Sequence, residues 1–148
     1  MSRLNYSINL QAKPLDLMDL MSNFESYQVF LPQQLRDINI IEKNPEHTII
    51  ELTLMFSTIL KKEIKIKVLH KILSENQVKL EIISGTGKGS MADIKFEEVE
   101  SVTNVIVDLN LELGLKMKIF LPIIKKTYKQ VLMSIFYKMN TIILDSPK

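Results

Sequence analysis

The segment LPIIKKTYKQVLMSIFYKMNTII, residues 121–143, decides the fold. Leu121, Ile124, Tyr128, Val131, Ile135, Met139 and Ile142 recur every three or four residues, the spacing of one face of an α-helix. Phe120, Leu132, Phe136 and Ile143 widen the stripe, and Lys125, Lys126 and Lys129 punctuate it. Pro122 stands where a first helical turn tolerates proline. The spacing predicts a helix of about 24 residues, about 36 Å long at 1.5 Å per residue. Such a helix crosses an entire small domain, and its apolar stripe needs a cover.

The chain before it changes period. From Asp37 apolar residues alternate with polar ones, the mark of strands with one buried face. Ile38 and Ile40 make a short strand. Ile50, Leu52, Leu54 and Phe56 make the next, followed by Ile64, Ile66, Val68, His70 and Ile72. Val78, Leu80 and Ile82 alternate with Lys79 and Glu81; Ala92, Ile94 and Phe96 with Asp93, Lys95 and Glu97; and Val105, Val107, Leu109, Leu111 and Leu113 with Asp108, Asn110 and Glu112. Asn44-Pro45-Glu46-His47, Ser74 to Gln77 and Ser101 to Asn104 are turns by composition. Strands joined so tightly pair antiparallel.

The N-terminus adds one strand, Leu4, Tyr6, Ile8 and Leu10 at period two. Pro14 then opens a short helix carrying Leu15, Leu17, Met18, Leu20 and Met21. Ser22 and Glu25 have the spacing of a capping box, which predicts a second short helix from Asn23 with Phe24, Tyr27, Phe30 and Leu31, ended by Pro32. The expectation is an α+β fold. About seven antiparallel strands form a curved sheet around the long C-terminal helix, with two short helices after the first strand.

Length and composition agree with one domain over residues 1–148. Hydrophobic residues make up 46% and charged residues 24%, enough for a core without metals or disulfides. Cysteine is absent, so thiolate metal sites and cysteine nucleophiles are excluded. The net charge of +2 lacks the basic excess of a nucleic-acid binder. Met1 to Leu10 alternates instead of forming a signal-peptide run, and no apolar run approaches the ~20 residues of a membrane span. These features point to a soluble, cytoplasmic protein.

The order strand, two short helices, six strands, long helix resembles the helix-grip arrangement of the START-like (SRPBCC) superfamily. Phe30-Leu31-Pro32 is similar to that family's aromatic-apolar-proline near its helical hairpin. Gly85-Thr86-Gly87-Lys88-Gly89-Ser90 falls where members carry a glycine-rich break between strands. Phe96 falls where many carry an aromatic, and Thr103 matches a threonine common in the turn before the last strand. Gly85 to Leu113 looks most like the carbon-monoxide-dehydrogenase subunit-G-like branch, with the ubiquinone-binding and polyketide-cyclase-like branches close to it. Met91-Ala92 departs from that branch, whose members often have a glycine there, whereas Gly114 is retained. The resemblance implies a space between sheet and helix that takes lipids, quinones, sterols or polyketides. A minority of members are enzymes, and some are accessories of chaperones.

The residues offer few chemical alternatives. Gly85, Gly87 and Gly89 suggest a phosphate cradle, but Ile82 stands where the P-loop pattern needs a glycine, and a strand follows where a helix should. A bend or bulge is the simpler reading. His70 lies on the apolar face of its strand and reads either as a ligand's hydrogen-bond partner or as a satisfied core histidine. His47 sits in a turn, and two such separated histidines make no metal site. The strand carboxylates Glu51, Glu63, Glu81, Asp93, Glu97, Asp108 and Glu112 alternate outward, and no nucleophile elbow is present. Met55, Met91, Met117, Met133 and Met139 offer a soft lining or plain core. Lys116 to Lys126 mixes bases with large apolar residues, as a membrane-surface contact would, or as the solvated start of a helix.

Three readings follow. The first is non-enzymatic binding, or transport, of a hydrophobic small molecule such as a lipid, quinone or isoprenoid. Its candidate ligand contacts are Phe24, Phe30, Met55, His70, Phe96, Tyr128 and Phe136, with no cofactor, metal or nucleic acid and at most transient contact with a membrane surface. The second is a cyclase- or dehydratase-like enzyme, and the third an accessory protein for enzyme assembly or a chaperone.

Overall fold

The computed structural model describes residues 2–56, 60–112, 114, 119 and 121–145, the side chains of residues 56 and 60–62 aside. The described elements run β1 (Ser2–Leu10), α1 (Pro14–Met21), a 3₁₀ turn (Phe24–Ser26), α2 (Tyr27–Phe30), β2 (Leu35–Lys43), β3 (His47–Phe56), β4 (Leu60–Ser74), β5 (Gln77–Ser84), β6 (Met91–Val99), β7 (Val102–Leu111) and α3 (Leu121–Asp145). The seven strands form one antiparallel sheet in the order β1-β7-β6-β5-β4-β3-β2. Every hairpin from β2 to β7 pairs neighbours in sequence, and β1 closes onto β7 with Tyr6 opposite Val107. The fold is the helix-grip α+β arrangement, with a curved sheet wrapped on α3.

Alternation decides which face is inside. Along β6, Ala92, Ile94 and Phe96 are buried, as are Val105, Val107, Leu109 and Leu111 along β7. Phe96, Val105 and Val107 share one core with Phe136 and Met139, buried on the C-terminal half of α3. Phe96 and Phe136 pack edge to face at 6.2 Å between ring centroids, which fills this end of the molecule. α1 packs on α3 and β6, burying Leu17, Met18 and Met21. Ala12, just before it, is fixed at both backbone groups. Its N–H donates to Asn140 Oδ1 at 2.8 Å, and its carbonyl accepts from Thr103 Oγ1 at 2.5 Å.

Several local expectations differ from the structure. The capping box is not made. Ser22 instead caps the C-terminus of α1, its N–H reaching the carbonyls of Met18 and Asp19. A 3₁₀ turn follows without a side-chain cap, and α2 keeps only four residues before Pro32. The β6–β7 turn is tighter than the composition of Ser101 to Asn104 suggests. Glu100 and Ser101 both take positive φ, 50° and 72°, the type I′ geometry that matches strand twist, so Thr103 and Asn104 lie within β7. The strand around Ile38 and Ile40 is longer, Leu35–Lys43, but it is an edge with two register shifts, and Ile40 is exposed. Ile72 is also exposed. Leu113, Met117 and Phe120, like Lys116 and Lys118, lie outside the described residues.

Candidate functional site

The N-terminal half of α3 does not close on the sheet as the C-terminal half does. Ile124, Tyr128, Val131, Leu132 and Ile135 face β3, β4 and β5 across a cavity of about 240 Å³. Its floor is the alternating inner face of those strands: Ile50, Leu52 and Leu54, then Ile64, Ile66 and Val68, then Leu80 and Ile82. Phe24, Tyr27 and Leu31 add a wall from the helical segment after β1. Thr86, Gly87 and Ser90 of the glycine-rich loop, Met91, Ala92, Leu109 and Leu111 of β6 and β7, and Gly114 line it as well. The floor residues are aliphatic where β6 and α3 oppose aromatics, so facing side chains stop short of each other and space remains.

The glycine-rich loop is a structural bend, and three of its amides are committed internally. Gly89 N–H donates to the Ile82 carbonyl, Lys88 N–H to Gly85 and Ser90 N–H to Gly87. Gly85 has φ +95°, and a Cβ there would collide with the Lys65 carbonyl oxygen. Only glycine lets β5 end this close to β4. A Cβ on Gly87 would lie 3.5 Å from the Tyr128 hydroxyl and 3.6 Å from Ser90 Oγ, so both hydroxyls flank the loop beside the cavity. Ser90 Oγ accepts from the Glu112 N–H at 2.9 Å, tying the loop to the end of β7. Burial pushes the Tyr128 phenol up, so it stays protonated.

His70 follows Ile64, Ile66 and Val68 on the inner face of β4. Its register partners are Thr48 on β3 and Leu80 on β5. It is 3% exposed, and Nε2 finds no hydrogen-bond partner among the described residues. Burial lowers its pKa from 6.5 to about 4, against a smaller opposing hydrogen bond to its own backbone. The Phe24 ring stands edge-on to it at 5.0 Å between centroids. Tyr6 is a second case: its hydroxyl is buried without a partner among the described residues, and Lys129 Nζ sits 5.3 Å from its ring centroid.

The predicted ligand contacts therefore separate. Phe24 and Tyr128 line the cavity. His70 stands behind Phe24. Phe30, Phe96 and Phe136 are wholly buried in the core and are not among the lining residues. Met55 alternates with the lining residue Leu54 and is half-buried. Of the other methionines, Met91 lines the cavity and Met139 is core. Sequence reasoning misses the aliphatic floor as a ligand surface, and it misses Tyr27, whose hydroxyl donates to the Met21 carbonyl at 2.6 Å. The signal for the floor is present in the alternation of β3 and β4, but alternation marks a buried face without saying what lies opposite it. At the start of α3, Ile119, Ile123 and Lys126 are exposed. No described helix is long and apolar enough to cross a membrane.

No protein-family model matches the chain, and no curated protein matches it in sequence. Solved structures do match in shape. A protein of Thermus thermophilus superposes with a TM-score of 0.83 at 13% identity, over 99% of this chain and 100% of that one. A START superfamily protein of Mycobacterium smegmatis gives 0.75 at 16% identity, over 95% and 96% of the two chains. The Zhui aromatase/cyclase of Streptomyces sp. R1128 gives 0.77 at 6% identity, over 96% and 95%. Likeness at such identities establishes architecture. With its seven-stranded sheet gripping α3, the chain has the helix-grip fold of these structures.

Proposed function

We propose that this protein binds a hydrophobic small molecule, of the lipid, quinone or isoprenoid kind, between the sheet and α3, and holds or carries it without transforming it. The observation that carries this reading is the cavity of about 240 Å³ with its almost wholly aliphatic and aromatic wall. Its size falls just below the ~300–1,000 Å³ of drug-sized ligand sites. Apolar side chains that face such a space lack partner atoms on one side and forgo those dispersion contacts. An apolar ligand would restore the missing contacts. On this reading Phe24 and Tyr128 touch the ligand, while Phe30, Phe96 and Phe136 brace the wall behind it.

A second reading, a cyclase- or dehydratase-like enzyme, draws on the buried imidazole of His70 and on the architecture shared with an aromatase/cyclase. Native mass spectrometry of the purified protein, with solvent extraction of whatever it carries, tests the first reading. A stoichiometric apolar compound recovered unchanged is the expected result. A protein that is empty as isolated and takes up no apolar probe would overturn it.

A further inference from the structure

Beside the cavity lies a polar atom that no hydrogen bond among the described residues uses. His70 is 3% exposed and its Nε2 is unpartnered among the described residues. Leaving a buried nitrogen without a partner is costly, and folded proteins rarely do so. Three of the residues around it, Val68, Leu80 and Phe24, line the cavity. His70 is thus one step further along the floor, beside the lining residue Phe24, whose ring stands edge-on to it at 5.0 Å.

We propose, resting on the binding function above, that His70 Nε2 is the polar anchor of this cavity, reached when the Phe24 ring turns aside, and that the ligand is an uncharged apolar molecule bearing a hydroxyl group that donates to it. The chemistry narrows the class. The ring is neutral at pH 7, because burial disfavours its charged form. In the neutral tautomer with its proton on Nδ1, Nε2 is the acceptor. An acceptor takes an alcohol or a phenol and gives nothing to a ketone or ether. A carboxylate ligand would need a cation, and none of the described lining residues is basic. Glu81, the one acidic residue among them, alternates with the inward Leu80 and Ile82. A charged head group would therefore be buried unpaired.

A matched probe set separates these demands: 2-naphthol, 2-methoxynaphthalene, naphthalene and 2-naphthoate, titrated by fluorescence into the wild type, His70→Leu and Phe24→Ala. The wild type is expected to bind naphthol about three- to tenfold more tightly than the ether or the hydrocarbon, the net effect of one hydrogen bond, and naphthoate most weakly. His70→Leu is expected to erase the preference for naphthol while keeping affinity for naphthalene. Phe24→Ala is expected to speed naphthol association. One measurement needs no variant. The protein has two histidines, and His47 lies at the surface against Glu42; the ¹⁵N resonance of His70 Nε2 is expected to move on naphthol binding and not on naphthalene binding. Equal affinity for naphthol and naphthalene, or an ether bound as tightly as naphthol, would overturn the anchor while leaving the binding function standing. Failure to bind any of the four would overturn both.

Discussion

The His70 imidazole meets the Phe24 ring edge-on, with centroids 5.0 Å apart and planes at 87°. One ring belongs to the sheet and the other to the short helical segment after β1, so the contact ties that segment to the inner face of β4. It also keeps water from a titratable group, and a pH dependence follows. Burial lowers the His70 pKa to about 4 from 6.5. The unfolded chain then holds more protons than the folded one between those values. Stability from this residue is complete above pH 6.5 and is lost as the pH falls through the window, by up to about 3 kcal/mol below pH 4. Urea unfolding of the wild type and His70→Leu at pH 7 and pH 4.5 checks this. The variant is expected within about 1 kcal/mol of the wild type at pH 7, because an unpartnered nitrogen is removed, and more stable than it by about 2 kcal/mol at pH 4.5. An unchanged difference between the two pH values would contradict the burial of His70.

Val131 lines the cavity from α3 and is half-buried. Val131→Phe would push a ring into open space, where overpacking is absent. The variant is expected to melt within a few degrees of the wild type, or above it, and to bind naphthalene at least tenfold more weakly. In a filled core the same change would cost about 1–3 kcal/mol, so a thermal melt with a binding titration distinguishes hollow from packed.

Gly85 gives a test of the bend. Its φ of +95° and the proximity of the Lys65 carbonyl leave no room for a Cβ. Gly85→Ala is expected to lose at least about 2 kcal/mol in chemical denaturation, from a strained φ and a displaced β4. Gly114→Ala, where a Cβ would meet nothing within 4 Å, is the control and is expected to be nearly silent.

Thr103→Val removes the hydroxyl that caps the Ala12 carbonyl while keeping the side chain's shape. The carbonyl then stays buried without that bond, and a loss of about 1–3 kcal/mol is expected in urea unfolding. Arg3→Ala breaks the exposed Arg3–Asp108 pair at 2.7 Å and is expected to be nearly silent by comparison, since an ion pair in water gains little. A reversal of that order would mean that β1 is held by its surface rather than by the Ala12 joint.

Much of this architecture was legible in residue order. Period two in the strands and the change of period at Leu121 follow from backbone geometry, which repeats every two residues in a strand and every 3.6 in a helix. Those periods also identified the buried face of β6 and β7 and the stripe on α3. What misled was local chemistry that could serve two ends. Ser22 and Glu25 fit a capping box, yet Ser22 ends one helix instead of starting another. Thr103 lies in a stretch with turn composition, yet its hydroxyl is spent on Ala12, 91 residues away in sequence.

The site was less legible than the fold. Phe30, Phe96 and Phe136 have the same composition and periodicity as Phe24, but they pack into the core while Phe24 borders open space. The sequence alone determined that an inward apolar face exists on each strand and that a long helix must cover it. Only the tertiary structure decided where the two surfaces touch and where they stand apart. That depends on the sum of side-chain volumes facing each other across the sheet and helix, as between Phe96 and Phe136 at one end and Leu52 and Val131 at the other. Pairs of that kind are brought together by the fold and are neighbours nowhere in the chain.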